Sequence, residues 1–186
     1  MSLTIDAAGI AAGIRYLPSP NFDERPENAV IDLLVIHNIS LPPGEFGGPG
    51  IVDLFMNRLD PAAHPYYRGI ARLKVSAHFL LRRDGELIQF VPCAKRAWHA
   101  GESAWRGRAR CNDYSIGIEL EGTDDTPYTP VQYVNLAAAV RALCAAYPAI
   151  SADRVVGHSD VAPGRKTDPG SAFDWVLARR LIGAGM

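Results

Sequence analysis

Ile31-Asp-Leu-Leu-Val-Ile36 is a near-continuous apolar run that ends in His37-Asn38. A strand with one face in water alternates apolar and polar residues, and this one does not. It reads as a central strand buried on both faces, the kind found in α/β sheets. The run ends in His37-Asn38, so His37 is expected where the strand meets the next loop. Open α/β sheets collect their ligands at strand ends. The competing reading of His37 is a hydrogen-bonded core histidine, and at this point both stand.

The rest of the chain supplies elements to surround such a strand. Ser76–Arg83 and Glu86–Val91 flank Asp84-Gly85, the turn dipeptide of a tight hairpin. In Ser115-Ile-Gly-Ile-Glu-Leu-Glu121, Ile116, Ile118 and Leu120 share one face, and Gly117, Glu119 and Glu121 the other. Thr129, Pro130 and Gln132 form a capping-box signature. Tyr133, Leu136, Ala137, Val140, Leu143, Cys144 and Tyr147 follow at helical spacing until Pro148. Ile51–Arg58 reads as a short amphipathic helix, and Arg154-Val-Val156 as a short strand. A last helix is expected from Ala172 to Ile182, with Ser171 as N-cap and Phe173, Val176, Leu177 and Leu181 buried. Residues 1–30 read as an extended arm packed on a single domain, 31–186, because each Pro biases its predecessor away from the α region. Ser40–Gly50 and Leu59–Ala71 are irregular loops that would wall whatever His37 touches. His64, in the second loop, reads as a loop hydrogen-bonder, and His78 as a buried structural histidine.

Composition removes several function classes. The chain has 186 residues, 48% of them hydrophobic, enough for one globular core. Its net charge is −1 with Lys and Arg scattered, so no basic face is offered to nucleic acid. No apolar run approaches the roughly 20 residues that span a bilayer. The N-terminus lacks the basic start and apolar stretch of a secretory signal. Cys93, Cys111 and Cys144 are odd in number and show no C-x-x-C spacing, and read as reduced, mostly buried thiols. The expectation is a cytoplasmic monomer with no nucleic-acid or membrane partner, in which any metal uses His and carboxylate ligands.

The stretch Gly157-His-Ser-Asp-Val-Ala-Pro-Gly-Arg-Lys-Thr-Asp-Pro-Gly170 packs ligand and cation side chains into a loop punctuated by Gly and Pro. His158 and Asp168 are good zinc ligands, and Lys166 is a cation beside them. The alternative is a solvated turn. With His37, they make three ligands and leave a fourth position for water, the arrangement of a catalytic zinc rather than a structural one. A carboxylate in mid-strand is costly to bury unless paired or used, so Glu119 is a candidate general base or half of a buried ion pair. Lys166 would stabilise an oxyanion. Trp98-His99 either lines a pocket or packs. Residues 102–113, with Arg106, Arg108 and Arg110, are a solvated loop or a cation source for an acidic ligand. A structural zinc site would need His64, His78 or His99 as fourth ligand.

Several uncommon strings occur here in one order: V-I-H-N-I-S-L-P-P-G-E-F-G-G-P, D-P-A-A-H-P-Y, V-S-A-H, R-R-D-G-E, K-R-A-W-H-A-G, C-N-D-Y-S-I-G-I-E-L-E-G-T-D, G-H-S-D-V-A-P-G-R-K-T-D-P-G and F-D-W. Through them the chain closely resembles the cytoplasmic 1,6-anhydro-N-acetylmuramyl-L-alanine amidases (AmpD), relatives of T7-lysozyme-type amidases and peptidoglycan recognition proteins. The resemblance implies a single α/β domain with a mixed central sheet flanked by helices. It implies Zn2+ held by His37, His158 and Asp168, with Glu119 as proton acceptor and Lys166 as transition-state stabiliser. The implied substrate is the anhydromuropeptide released in cell-wall recycling, cut between the muramyl lactyl group and L-Ala, with an indirect effect on β-lactamase induction. Asn38 and Arg110 would contact the peptide stem, with Lys74, Trp98 and His99 completing the substrate-binding set. Lys74 stands where the family pattern carries an Arg, which keeps the charge but loses the bidentate fork. Some relatives of this family bind muropeptides without zinc, so a zinc-free recognition module is the alternative.

Overall fold

The computed structural model describes residues 3–184. The chain opens with four two-residue strands, β1 (Thr4–Ile5), β2 (Ala11–Ala12), β3 (Arg15–Tyr16) and β4 (Phe22–Asp23). There follow β5 (Leu33–Ile39), α1 (Gly50–Phe55), α2 (Tyr67–Ile70) and the hairpin β6 (Phe79–Leu81) and β7 (Leu87–Gln89). Three more short strands, β8 (Arg96–Ala97), β9 (Ala104–Trp105) and β10 (Arg108–Ala109), lead to β11 (Ser115–Glu121). The chain ends with α3 (Pro130–Ala146), β12 (Val155–Gly157), α4 (His158–Val161) and α5 (Trp175–Gly183).

Six strands form one mixed sheet in the order β12-β5-β11-β6-β7-β3. From β12 to β6 the neighbours run parallel; β6 and β7 are antiparallel, as the Asp84-Gly85 turn requires. All seven residues of β11 and the first five of β5 are buried. One face carries Leu34, Ile36, Ile116, Ile118 and Leu120 against Leu136, Val140 and Leu143 of α3 and Ala178 and Ile182 of α5. The other packs Leu80 and Ile88 against Ile51, Leu54 and Phe55 of α1, and Leu33, Val35 and Val156 against Tyr114 and Val161. The Thr129 capping box forms as expected: the Gln132 N–H donates to Thr129 Oγ1 at 3.3 Å, and the Thr129 N–H to Gln132 Oε1 at 3.0 Å.

Five local expectations are corrected. The first strand does not give way to loop at His37 but runs through His37 and Asn38 to Ile39, because β11 stays paired with it along its full length. Inside the last loop, His158–Val161 is a helical turn. Asp174, not Ser171, caps the last helix, accepting from the Leu177 N–H at 2.8 Å. Residues 170–172 are held in a turn by Gly170 N–H to Thr167 O (3.0 Å) and Ala172 N–H to Asp124 O (2.8 Å), so the helix starts only at Trp175. That start turns Ala178 and Ile182 inward and leaves Val176, expected to be buried, 80% exposed.

The residues before Ile31 are not simply extended. β3 joins the main sheet beside β7, and β4 pairs antiparallel with β8. Arg25 donates to the carbonyls of Cys93 (3.0 Å), Asn112 (3.1 Å), Asp113 (3.1 Å) and Ser115 (2.8 Å). Burial, more than any neighbouring charge, lowers its pKa to about 10, so it remains a cation at neutral pH.

Candidate active site

Alternation along two strands sets the floor of the site. Leu33, Val35 and His37 project from one face of β5, and Gly117, Glu119 and Glu121 from the same face of β11. The parallel register pairs Glu119 with His37. On the other side β12 pairs Gly157 with Ile36, so the next residue, His158, emerges beside His37. The loop then folds back on itself: the Ser159 N–H donates to the carbonyl of Asp168 at 3.0 Å, which brings that side chain to the two histidines.

Three ligand atoms converge there. His37 Nδ1 lies 2.9 Å from His158 Nδ1 and 3.1 Å from Asp168 Oδ2, and His158 Nδ1 lies 3.0 Å from the same oxygen. All three residues are buried. His158 Nε2 faces the carbonyl of Ala100 at 3.0 Å, a group that only accepts. A ring proton on Nε2 suits that contact, and Nδ1 faces another nitrogen and a carboxylate oxygen. Burial, above all, pushes the His37 pKa down to about 4, with Asp168 opposing and His158 and Lys166 reinforcing, so the His37 ring is neutral at neutral pH. Three electron-pair donors at contact distance repel one another unless a cation lies among them. The two-nitrogen, one-oxygen set suits zinc. No fourth protein ligand joins them among the described residues. His78 accepts from the Gly117 N–H at 3.0 Å and donates to the Lys95 carbonyl at 3.1 Å, and His64 accepts from the Tyr66 N–H at 3.1 Å. The structural zinc site is thereby set aside.

A cavity of about 400 Å³ opens above this group. Its wall includes Asn38, Trp98, His99, Glu119 and Lys166, with Leu41, Pro43, Tyr66 and Ile70 from the two irregular loops and Leu73 and Val75 from the segment just after the second. Glu119 is buried and its Oε2 has no hydrogen-bond partner among the described residues, which leaves the ion-pair reading of this residue without support. Burial first, and the Asp168 carboxylate second, raise its pKa well above the usual range; Lys166 opposes them. A carboxyl of this kind takes a proton readily and keeps it until a stronger demand arises. Lys166 is exposed and faces the same cavity.

Of the five residues expected to hold substrate, the cavity wall includes Asn38, Trp98 and His99. Asn38 Nδ2 donates to Asp124 Oδ1 at 2.7 Å, so its amide oxygen is the group left to accept. Gly170, at φ 84°, allows that arrangement: a Cβ there would lie 2.1 Å from Asp124 Cα. Lys74 is exposed between two wall residues, Leu73 and Val75. Arg110 lies outside the wall, 71% exposed, with its Nε 3.1 Å from Asp113 Oδ2. Sequence reasoning missed the Ala100 carbonyl and the inward turn of the His99 ring. The available signal was Gly117, a glycine in mid-strand, which marks a close approach: a Cβ there would stand 2.5 Å from His99 Cγ.

Fold and site together suit a hydrolase: a His–His–carboxylate cluster that could hold a metal at the floor of a cleft, with a buried carboxyl and a lysine on its rim. The chain belongs to the N-acetylmuramoyl-L-alanine amidase family, whose pattern matches residues 27–171. It is 60% identical over 174 residues to 1,6-anhydro-N-acetylmuramyl-L-alanine amidase AmpD of Citrobacter freundii, covering 94% of this chain and 92% of that one. A crystal structure of a selenomethionine AmpD derivative superposes with a TM-score of 0.92 at 59% identity, covering 96% of this chain and 98% of that one. The Escherichia coli amidase AmiD, solved with the substrate anhydro-N-acetylmuramic acid-L-Ala-D-γ-Glu-L-Lys, superposes at 0.60 with 29% identity, covering 97% of this chain and 65% of that one.

Proposed function

We propose that the protein is a zinc-dependent amidase that hydrolyses the lactyl–L-Ala amide of 1,6-anhydro-N-acetylmuramyl peptides. The convergence of His37 Nδ1, His158 Nδ1 and Asp168 Oδ2 within 3.1 Å, in one cavity with an unpartnered Glu119, carries this reading. These three residues would hold the metal, which supplies Lewis-acid activation of water and of the scissile carbonyl. Glu119 accepts a proton from the attacking water and passes it to the departing amine of L-Ala, so the lactyl carboxylate and a free peptide amine are the products. Lys166 places a positive charge where the carbonyl oxygen becomes an oxyanion. The Asn38 amide oxygen accepts an N–H of the stem, Trp98 packs on the cavity wall, and Lys74 and Arg110 meet the stem carboxylates at the rim. The zinc-free binding module is not favoured, since the full ligand set is present.

No described helix is long and apolar enough to cross a membrane; we read the protein as a cytoplasmic monomer, which fractionation and light scattering test. The decisive experiment measures zinc content and release of L-Ala peptides from anhydromuropeptide, with and without a chelator. Stoichiometric zinc and chelator-sensitive, zinc-restored hydrolysis are expected. His37→Ala, His158→Ala and Asp168→Ala should each lose zinc and hydrolysis together. Full activity in a metal-free preparation would refute the proposal.

A further inference from the structure

Both metal-facing histidines lean on one short segment, residues 99–100. His158 Nε2 meets the Ala100 carbonyl at 3.0 Å. His37 Nε2 meets the Nδ1 atom of the His99 ring at 2.9 Å, and His99 Nε2 lies 3.3 Å from Ser115 Oγ. The segment is itself anchored: Asn112 Oδ1 accepts from the Ala100 N–H at 2.8 Å and from the His99 N–H at 3.3 Å. Arg165 Nη2 adds a second donor to the Ala100 carbonyl, at 2.7 Å. The Ser115 carbonyl is fixed in turn by Arg25 at 2.8 Å.

We infer that His99 is a positioning residue: its Nδ1 accepts the Nε2 proton of His37 and keeps the His37 Nδ1 lone pair turned toward His158 and Asp168. The reason is the direction of the proton. A neutral imidazole carries one N–H, and whichever nitrogen holds it cannot bind a metal. The Ala100 carbonyl settles the matter for His158 because it cannot donate. His37 has no carbonyl there; it has a second imidazole, which sets the tautomer only if that ring offers a bare Nδ1. Ser115 Oγ meets this need by accepting from His99 Nε2. The proton order His37 Nε2–H to His99 Nδ1, then His99 Nε2–H to Ser115 Oγ, leaves every ring nitrogen satisfied except the two that face Asp168. The ring can take this place only because residue 117 is glycine, since a Cβ would overlap His99 Cγ at 2.5 Å. His99 thus acts through His37, in place of the substrate contact expected from its position beside Trp98.

This inference rests on the zinc reading above, and the test separates the two. Zinc-loaded wild type, His99→Asn, His99→Leu and Gly117→Ala are titrated with a competing chelator to obtain zinc dissociation constants. In parallel, histidine tautomers are read from two-bond nitrogen–proton NMR spectra of the metal-free proteins. Asparagine can place its amide oxygen near the position of Nδ1 and accept the same proton; leucine fills the space without an acceptor. Loss of an outer-shell partner weakens metal binding by about 10–100-fold. His99→Leu and Gly117→Ala should show that loss, with His37 no longer held as its Nε2–H form, and His99→Asn should stay near wild type. If wild type binds no zinc, the proposed function fails. If wild type binds zinc and His99→Leu matches it, or if His99→Asn and His99→Leu weaken it equally, the positioning role is overturned and the ring serves packing alone.

Discussion

Glu119 and Glu121 sit two residues apart on the same face of the same strand and end in opposite circumstances. Glu121 accepts from the Gly47 N–H at 2.7 Å, from Arg82 Nη1 at 3.2 Å and from the Arg83 N–H at 3.2 Å. Its carboxylate ties one irregular loop to the sheet. Glu119 faces the cavity with an oxygen that nothing satisfies. The histidines divide in the same way. His78 and His37 are both buried on the sheet, and His78 has both nitrogens engaged by backbone groups. His37 keeps one nitrogen aimed at two other acceptors. A buried polar group that the fold has satisfied is a fastener; one left unsatisfied is a reagent or a ligand.

The largest expected effect breaks the carboxylate comparison on the reactive side. Glu119→Ala should lower kcat by about 10²–10⁴-fold while zinc stays bound, because a base is lost and no ligand is. Zinc analysis beside turnover checks it, and loss of zinc would make Glu119 a ligand instead. Glu121→Ala should do the reverse. It removes the acceptor of two backbone donors and one carboxylate from the Arg82 guanidinium, which is 12% exposed and keeps Glu86 Oε2 at 3.5 Å and the Gly48 carbonyl at 3.1 Å. Leaving a buried donor unsatisfied costs about 1–3 kcal/mol, so the urea midpoint should fall while kcat per folded molecule changes little.

The histidine comparison can be sharpened by pH. Burial first, and Arg25 second, lower the His78 pKa to about 3. In the unfolded chain it titrates near about 6.5. Between those values the unfolded state binds the extra proton, so the contribution of His78 is complete above the unfolded pKa and is lost as pH falls toward 3. His78→Gln should therefore reduce the acid-side slope of stability by up to about 1.4 kcal/mol per pH unit. Denaturation midpoints between neutral and mildly acid pH, compared with wild type, measure it; parallel curves would refute it. The smallest effect belongs to the rim. Arg110→Ala should raise KM with little change in kcat, by less than about 1 kcal/mol, since its guanidinium is exposed. Lys74→Arg should tighten binding of stems that carry a free carboxylate. If KM is unmoved in both, these cations are surface charges.

Much of this was legible along the chain. The capping box at Thr129, the Asp84-Gly85 hairpin and the alternation from Ser115 to Glu121 are local patterns, and the backbone follows them because their interactions span only a few residues. The extent of β5 was not, since pairing with β11 carries it past Ile36 through a polar pair of residues. The start of α5 was missed for a similar reason: a carbonyl of Asp124, far away in sequence, holds Ala172 out of the helix. Trp98 and His99 read alike in the sequence, as a pocket wall or as packing. Only the space left by Gly117 turned one ring inward.

The sequence by itself determined which chemistry was possible: the ligand types, a carboxylate in mid-strand, and the face of β11 on which it stands. Those follow from side-chain identity and a two-residue strand period. Tertiary structure decided which groups are used. His37 and His158 are 121 positions apart and meet only because β12 pairs with β5. Glu121 finds partners because Arg82, just past the end of β6, and the Gly47 N–H reach it, whereas Glu119 opens into the cavity. Hydrogen-bond satisfaction depends on what the rest of the chain brings within about 3 Å, and no local pattern records that distance.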